Sequence, residues 1–268
     1  MKKILSKIES KLKSKLKILI YRVLKNRTVL VHTLGKVGSS TIYHELKKVS
    51  PWDNIFHTHF LSDEWLHLKL KEGNHFEVNN KMSQKVFAHF KLYPNNKKYI
   101  ISLVREPVSR EISNFMQNPE DFVDGNILDM SNENLKKAYL NKLNYDYTFN
   151  WFDSEFLNYT GFDVFSEPFD KEKGFSIYQY EGFNILILKL ERLNECYTEA
   201  MKIFLGLNLS LEGNANQSSQ KPIAHVYSEL RKTIKFSEAA LNKVYSHKYV
   251  THFYTEGEIQ GFTSKYLK

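Results

Sequence analysis

Gly35, Lys36, Val37, Gly38, Ser39, Ser40 and Thr41 stand in one uninterrupted row, after an apolar run and before a helical pattern. That order suits an anion. Glycines let a backbone turn tightly and bring its N–H groups close to a ligand. The start of a helix adds unpaired N–H donors and a positive dipole end. Lys36 supplies a full charge, and three consecutive hydroxyls donate beside it. The row is not a Walker A loop, which needs Lys directly before Ser/Thr; here Lys36 precedes the second glycine. A second candidate lies at Arg105, just before Pro107, with Ser113 eight residues on. A guanidinium at a strand end can fork onto a phosphate. The plainer readings are a Gly-rich turn with a solvated lysine, and a surface pair between Arg105 or Arg110 and Glu106.

The elements that must hold these residues follow from the pattern. Residues 28–33 (TVLVHT) predict a buried strand and 40–49 a helix. Residues 54–57 predict a short strand, and Ser62 caps a helix running to about residue 71. Residues 85–89 and 98–104 predict two further strands, and Pro107 opens a helix. Residues 120–160 read as helical and aromatic-rich. Residues 168–175 and 206–221 read as loops, and 184–190 as another strand before a helix to about 205. The C-terminal stretch predicts helices over 227–234, 237–246 and 255–266. Strands alternating with helices predict an α/β fold with a mainly parallel central sheet flanked by helices.

The chain has 268 residues and a net charge of +8. Residues 1–27 carry ten Lys/Arg against one Glu, so the rest is nearly neutral. A nucleic-acid partner is therefore not expected, because the basic character belongs to this segment and the body is nearly neutral, which leaves room only for a local basic cleft. The expected division is a basic amphipathic helix over 1–27 and one α/β domain over 28–268. Ile4, Ile8, Leu12, Leu16, Leu19 and Val23 share one face of that helix, and lysines cover the rest. It fits the headgroup plane of an anionic membrane, or docks on its own domain or another chain. The single cysteine, Cys196, excludes an internal disulfide framework. No uncharged apolar stretch reaches transmembrane length.

Taken together, GKVGSST after a first strand and REPVSREIS after a later one resemble the sulfotransferases that use 3′-phosphoadenosine-5′-phosphosulfate (PAPS). The closer likeness is to a bacterial group of capsular polysaccharide synthesis proteins. It rests on residues 35–41, 57–62 (HTHFLS), 104–107 (VREP), 150–153 (NWFD) and 168–174 (PFDKEKG). The resemblance implies a P-loop-like sulfotransferase fold. It implies PAPS as cosubstrate, held by Gly35, Lys36, Gly38, Ser39, Ser40 and Thr41 at the 5′-phosphosulfate and by Arg105 and Ser113 at the 3′-phosphate. It also implies a glycan acceptor. Two departures stand out: Leu190 replaces an aromatic residue, and the C-terminal glycine-rich basic loop of many members is not recognisable.

Sulfuryl transfer needs a base, and a near-neutral histidine suits it. His89, at the end of the strand expected over 85–89, is the first candidate and His59 the second, with His57 a rival that also suits the acceptor side. All three are expected at the carboxyl ends of strands, where a parallel sheet places its ligand. Lys36 would assist the leaving phosphate. Tyr147 and Trp151 would stack on a sugar ring and Asp153 bond its hydroxyls, while Phe149, Phe152 and Phe156 read as core. No metal is expected. The alternatives are a nucleotide-dependent kinase and a non-catalytic, membrane-tethered assembly protein. The expected location is cytoplasmic, peripheral at the inner face of the cell membrane.

Overall fold

The computed structural model describes residues 8, 11–16, 19–20, 26–50, 53–70, 77–123, 125–211 and 224–268. They divide into two compact units that alternate along the chain. The first comprises Met1–Thr33, Ser39–Ser102 and Ile177–Leu186; the second comprises Leu34–Gly38, Leu103–Ser176 and Ile187–Lys268.

The strands are β1 (Arg27–His32), β2 (Asn54–Thr58), β3 (Lys97–Val104), β4 (Phe175–Tyr180) and β5 (Phe183–Lys189). They form one sheet in the order β2-β1-β3-β5-β4. β1 runs parallel to both neighbours, with Val31 opposite His57 on one side and Ile101 on the other. Its run TVLVH is buried throughout, as a strand covered on both faces should be. The chain moves outward from β1 to β2 in one direction and to β3, β5 and β4 in the other. The order therefore reverses between β1 and β3, the switch point where open α/β sheets bind ligands beyond the strands' carboxyl ends. The glycine turn follows β1, and Arg105 follows β3.

In the first unit, α1 (Ser39–Val49) and α2 (Asp63–Leu70) follow β1 and β2, and α3 (Glu77–Leu92) precedes β3. Ser62 caps α2 by accepting from the Trp65 amide at 3.3 Å. The helix α3 corrects the strand expected over 85–89. Ser83, Val86 and His89 are the buried positions, a spacing of three that only a helix turns to one side. Of the helix expected over 1–27, residues 8, 11–16 and 19–20 are helical and exposed, while Asn26 stands at positive φ and Arg27 opens β1, which corrects the helix's expected end; the other residues lie outside the described ones.

In the second unit, Glu106 caps α4 (Pro107–Gln117), its carboxylate accepting from the amides of Val108 and Ser109. Then come α5 (Asn132–Lys142), α6 (Asp146–Trp151), a π-turn over Phe152–Phe156 and α7 (Leu157–Thr160). After β5 come α8 (Leu193–Leu205), α9 (Ala224–Thr233), α10 (Glu238–Tyr245), α11 (Lys248–Phe253) and α12 (Glu256–Tyr266). Two elements were absent from the sequence expectation, β4 and α11. β4 joins β5 through Glu181 and Gly182 alone, both at positive φ, and a two-residue link of that kind joins antiparallel strands. Most of the loop expected over 206–221 lies outside the described residues. Among the described residues no helix is long and apolar enough to cross a membrane.

Candidate functional site

The turn after β1 carries two left-handed residues, Gly38 at φ 82° and Lys36 at φ 71°. Glycine adopts that region without penalty; lysine does so at a cost, and such strain gathers at functional turns. Both arginines of the 105–110 segment bend onto this turn. Arg105 Nη1 donates to the Lys36 carbonyl at 2.8 Å, and Arg110 Nε donates to the Gly35 carbonyl at 3.0 Å. Arg110 is buried, and its Nη1 also meets the Glu111 carboxylate at 2.6 Å. Arg105 is half-buried, and the Lys36 carbonyl takes one of its five N–H donors. The Lys36 ammonium bonds the Gln117 side chain. Leu190, the residue standing where an aromatic was expected, lies over Gly38. Ser113 is half-buried on α4.

Tyr147 belongs to this turn. Its hydroxyl accepts from the Gly35 amide at 3.3 Å, and the Arg110 guanidinium lies 4.8 Å from its ring centre. Burial pushes the phenol up to about 12, against the pull of Arg110, so it keeps its proton at neutral pH. Tyr147 lies half-buried beside the glycines. Trp151 is a correction: it is fully buried among Phe152 and Phe156 and offers no face to a sugar. Its position on the inner side of α6 decides this. Phe152 and Phe156 are core, as expected, while Phe149 stacks on His247 at 3.9 Å. Asp153 is ion-paired with Lys248 at 2.6 Å.

In the first unit the three histidines do not converge. His57 faces α1, where its Nε2 lies 2.9 Å from Ser39 Oγ. The His59 ring lies edge-on to His57 at 5.1 Å. His59 Nδ1 lies 2.6 Å from the Thr33 carbonyl. A carbonyl only accepts, so Nδ1 carries the proton and Nε2 holds the lone pair of the neutral ring. Burial, then the neighbouring His59, His44 and His32, lowers the His57 pKa from 6.5 to about 3. His89 lies elsewhere. Its ring packs on Phe56, the strand neighbour of His57, which points to the opposite face of the sheet. His89 Nε2 meets Thr28 Oγ1 at 2.8 Å, and Asn96 donates to the same oxygen at 3.1 Å. Thr28 is near the amino end of β1, five residues and ~17 Å of strand from Thr33. The expectation that His89 sits at a strand's carboxyl end is therefore corrected, because it rides on a helix behind the sheet. Of the three hydroxyls, Ser39 is buried against His57, Thr41 is half-buried and Ser40 is exposed.

Residues 124–255 match a family model described as "Putative capsular polysaccharide synthesis protein". The match spans just under half of the chain. It contains Tyr147, Leu190 and the helices α10 and α11, and it excludes the glycine turn and Arg105. No curated protein and no solved structure matches.

The sequence alone missed Gln117, Glu191 and Tyr249 as neighbours of these segments. Glu191 Oε1 accepts from the Glu106 amide at 2.8 Å, and burial raises the pKa of this carboxyl. Arg110 carried a signal, its place in the R-x-P-x-x-R spacing, and Glu191 stands next to Leu190 in a segment that the resemblance touches; Gln117 and Tyr249 carried none.

Proposed function

We propose that the chain is a PAPS-dependent sulfotransferase acting on a hydroxyl of a capsular or surface glycan. The observation that carries the proposal is the bending of Arg105 and Arg110 onto the carbonyls of the glycine turn, which joins the two segments read as anion-binding. The match over 124–255 supports the glycan side of the reading.

In this reading the turn and Lys36 face the 5′-phosphosulfate, and Arg105 with Ser113 takes the 3′-phosphate. The acceptor oxygen attacks sulfur, the bond from sulfur to the phosphate oxygen breaks, and adenosine 3′,5′-bisphosphate leaves. Lys36 offsets the charge that grows on the departing phosphate. The hydroxyl proton passes to a general base, for which His59 is the candidate, its Nδ1 2.6 Å from the Thr33 carbonyl. Tyr147, protonated at neutral pH, donates to an anionic oxygen at the turn. Positioning and electrostatics provide the catalysis, as in phosphoryl transfer.

Titration calorimetry with adenosine 3′,5′-bisphosphate tests the reading. Magnesium-independent binding is expected, and Arg105→Ala should weaken it by ~2–4 kcal/mol through loss of a charge-assisted contact. Preference for magnesium–ATP, or an affinity indifferent to Arg105→Ala, would overturn it.

A further inference from the structure

Arg105 sits at the junction of β3 and α4, where strand pairing has ended and the helix has not begun. Its backbone is held by one side chain. The Tyr249 hydroxyl accepts from the Arg105 amide at 3.1 Å and donates to the Arg105 carbonyl at 3.1 Å. One phenol thus occupies both polar backbone groups of the residue whose guanidinium bends onto the turn. Tyr249 is fully buried on α11. Neighbouring tyrosines continue the pattern. Tyr245 donates to the Glu106 carboxylate at 3.0 Å, and Tyr266 bonds Ser109 Oγ at 2.8 Å. Tyr254 donates at 3.0 Å to the same Glu191 carboxylate that accepts from the Glu106 amide. Four buried phenols from the C-terminal helices therefore brace residues 105–109, directly or through Glu191. Packing alone does not require them: phenylalanine fills space equally well, as Phe253 does on α11. A buried phenol needs a partner for its hydroxyl, and each of these finds one in or next to the same segment.

We propose that Tyr249 is a positioning residue that sets the Arg105 guanidinium for its anion, and that the C-terminal helices thereby tune the affinity of that site. The proposal rests on the reading of Arg105 as a phosphate ligand. Burial holds the Tyr249 phenol well above its ordinary range, so its donor bond to the Arg105 carbonyl persists through neutral pH.

The test is Tyr249→Phe, which keeps the ring and removes both bonds. Its dissociation constant for adenosine 3′,5′-bisphosphate should rise about tenfold at a temperature well below unfolding. In an Arg105→Ala background the same change should cost nothing further, because the effect passes through Arg105. Phe253→Leu, a core change on the same helix with no bond to Arg105, should lower thermal stability and leave affinity intact. Unchanged affinity in Tyr249→Phe, or an equal loss in the Arg105→Ala background, overturns the proposal. If Tyr249→Phe fails to fold, Tyr254→Phe should raise the dissociation constant in the same direction by a smaller factor, and no rise overturns it. If the wild-type protein binds no bisphosphate, the nucleotide reading fails. Amide exchange of the unliganded protein then decides the positioning: Tyr249→Phe should speed exchange at Arg105 where Phe253→Leu does not, and equal rates overturn it.

Discussion

Replacing Gly38 by alanine probes the turn without reference to any ligand. Gly38 stands at φ 82°, and a Cβ built there would lie 2.9 Å from Leu190 Cδ1. The backbone contribution is the left-handed penalty of an L-residue, ~1–2 kcal/mol. The steric contribution is smaller, because Leu190 presents the tip of a rotatable side chain; turning it off its rotamer costs ~0.5–1.5 kcal/mol. Alanine returns ~0.4–1 kcal/mol by restricting the unfolded chain. The net expectation is a loss of about 2 kcal/mol, read as a lower urea midpoint at unchanged m. Made in a Leu190→Ala background, the same change should cost only the backbone share, about 1 kcal/mol. A Gly38→Ala protein within about 0.5 kcal/mol of wild type would refute the strained turn. An equal cost in both backgrounds would refute the Leu190 contact.

Three other outcomes are expected. His57 is held neutral by burial, with its pKa lowered from 6.5 to about 3, so the unfolded ring takes up a proton first as pH falls. Its share of stability is complete above pH ~6.5 and lost toward pH ~3, reaching up to about 2 kcal/mol of loss at pH 5. His57→Gln should flatten urea stability against pH across that window, and an unaltered slope would contradict the assignment. His59→Ala should depress turnover by ~10²–10⁴-fold with little change in bisphosphate affinity, while His89→Ala should chiefly lower stability through loss of its bond to Thr28. The reverse pattern would return the base to His89. Finally, Ile8, Leu12, Leu16, Leu19 and Ile20 are exposed in a segment rich in lysine. We propose that it attaches to anionic lipid. Sedimentation with phosphatidylglycerol vesicles should pull down the full chain, Leu12→Asp with Leu16→Asp should abolish this, and equal recovery of the variant would refute attachment.

Some of the site was legible because its signals are local. A β-branched run, a glycine pair and a helical pattern mark the turn after β1 within a dozen residues. An apolar run, Arg105 and Pro107 mark the second junction in the same way. His89 was misread because KVFAH is a short apolar run between two polar residues, which does not separate a strand from a helix, whereas the burial of Ser83, Val86 and His89 shows its period only over a longer stretch. Trp151 and Tyr147 look alike as aromatic residues four apart. Which of them enters the core and which reaches Gly35 depends on how α6 lies against its neighbours.

By itself, then, the chain determined where β1 and β3 give way to helices, and so where the glycine turn and Arg105 stand. Short-range sterics and hydrophobic period suffice for that. Only the tertiary structure decided which side chains hold those ends in place. Glu191 meets Glu106 across 85 residues and Tyr249 meets Arg105 across 144. Contacts at that separation leave no local trace, because they arise when distant hydroxyls and carboxylates must find partners in one buried interior.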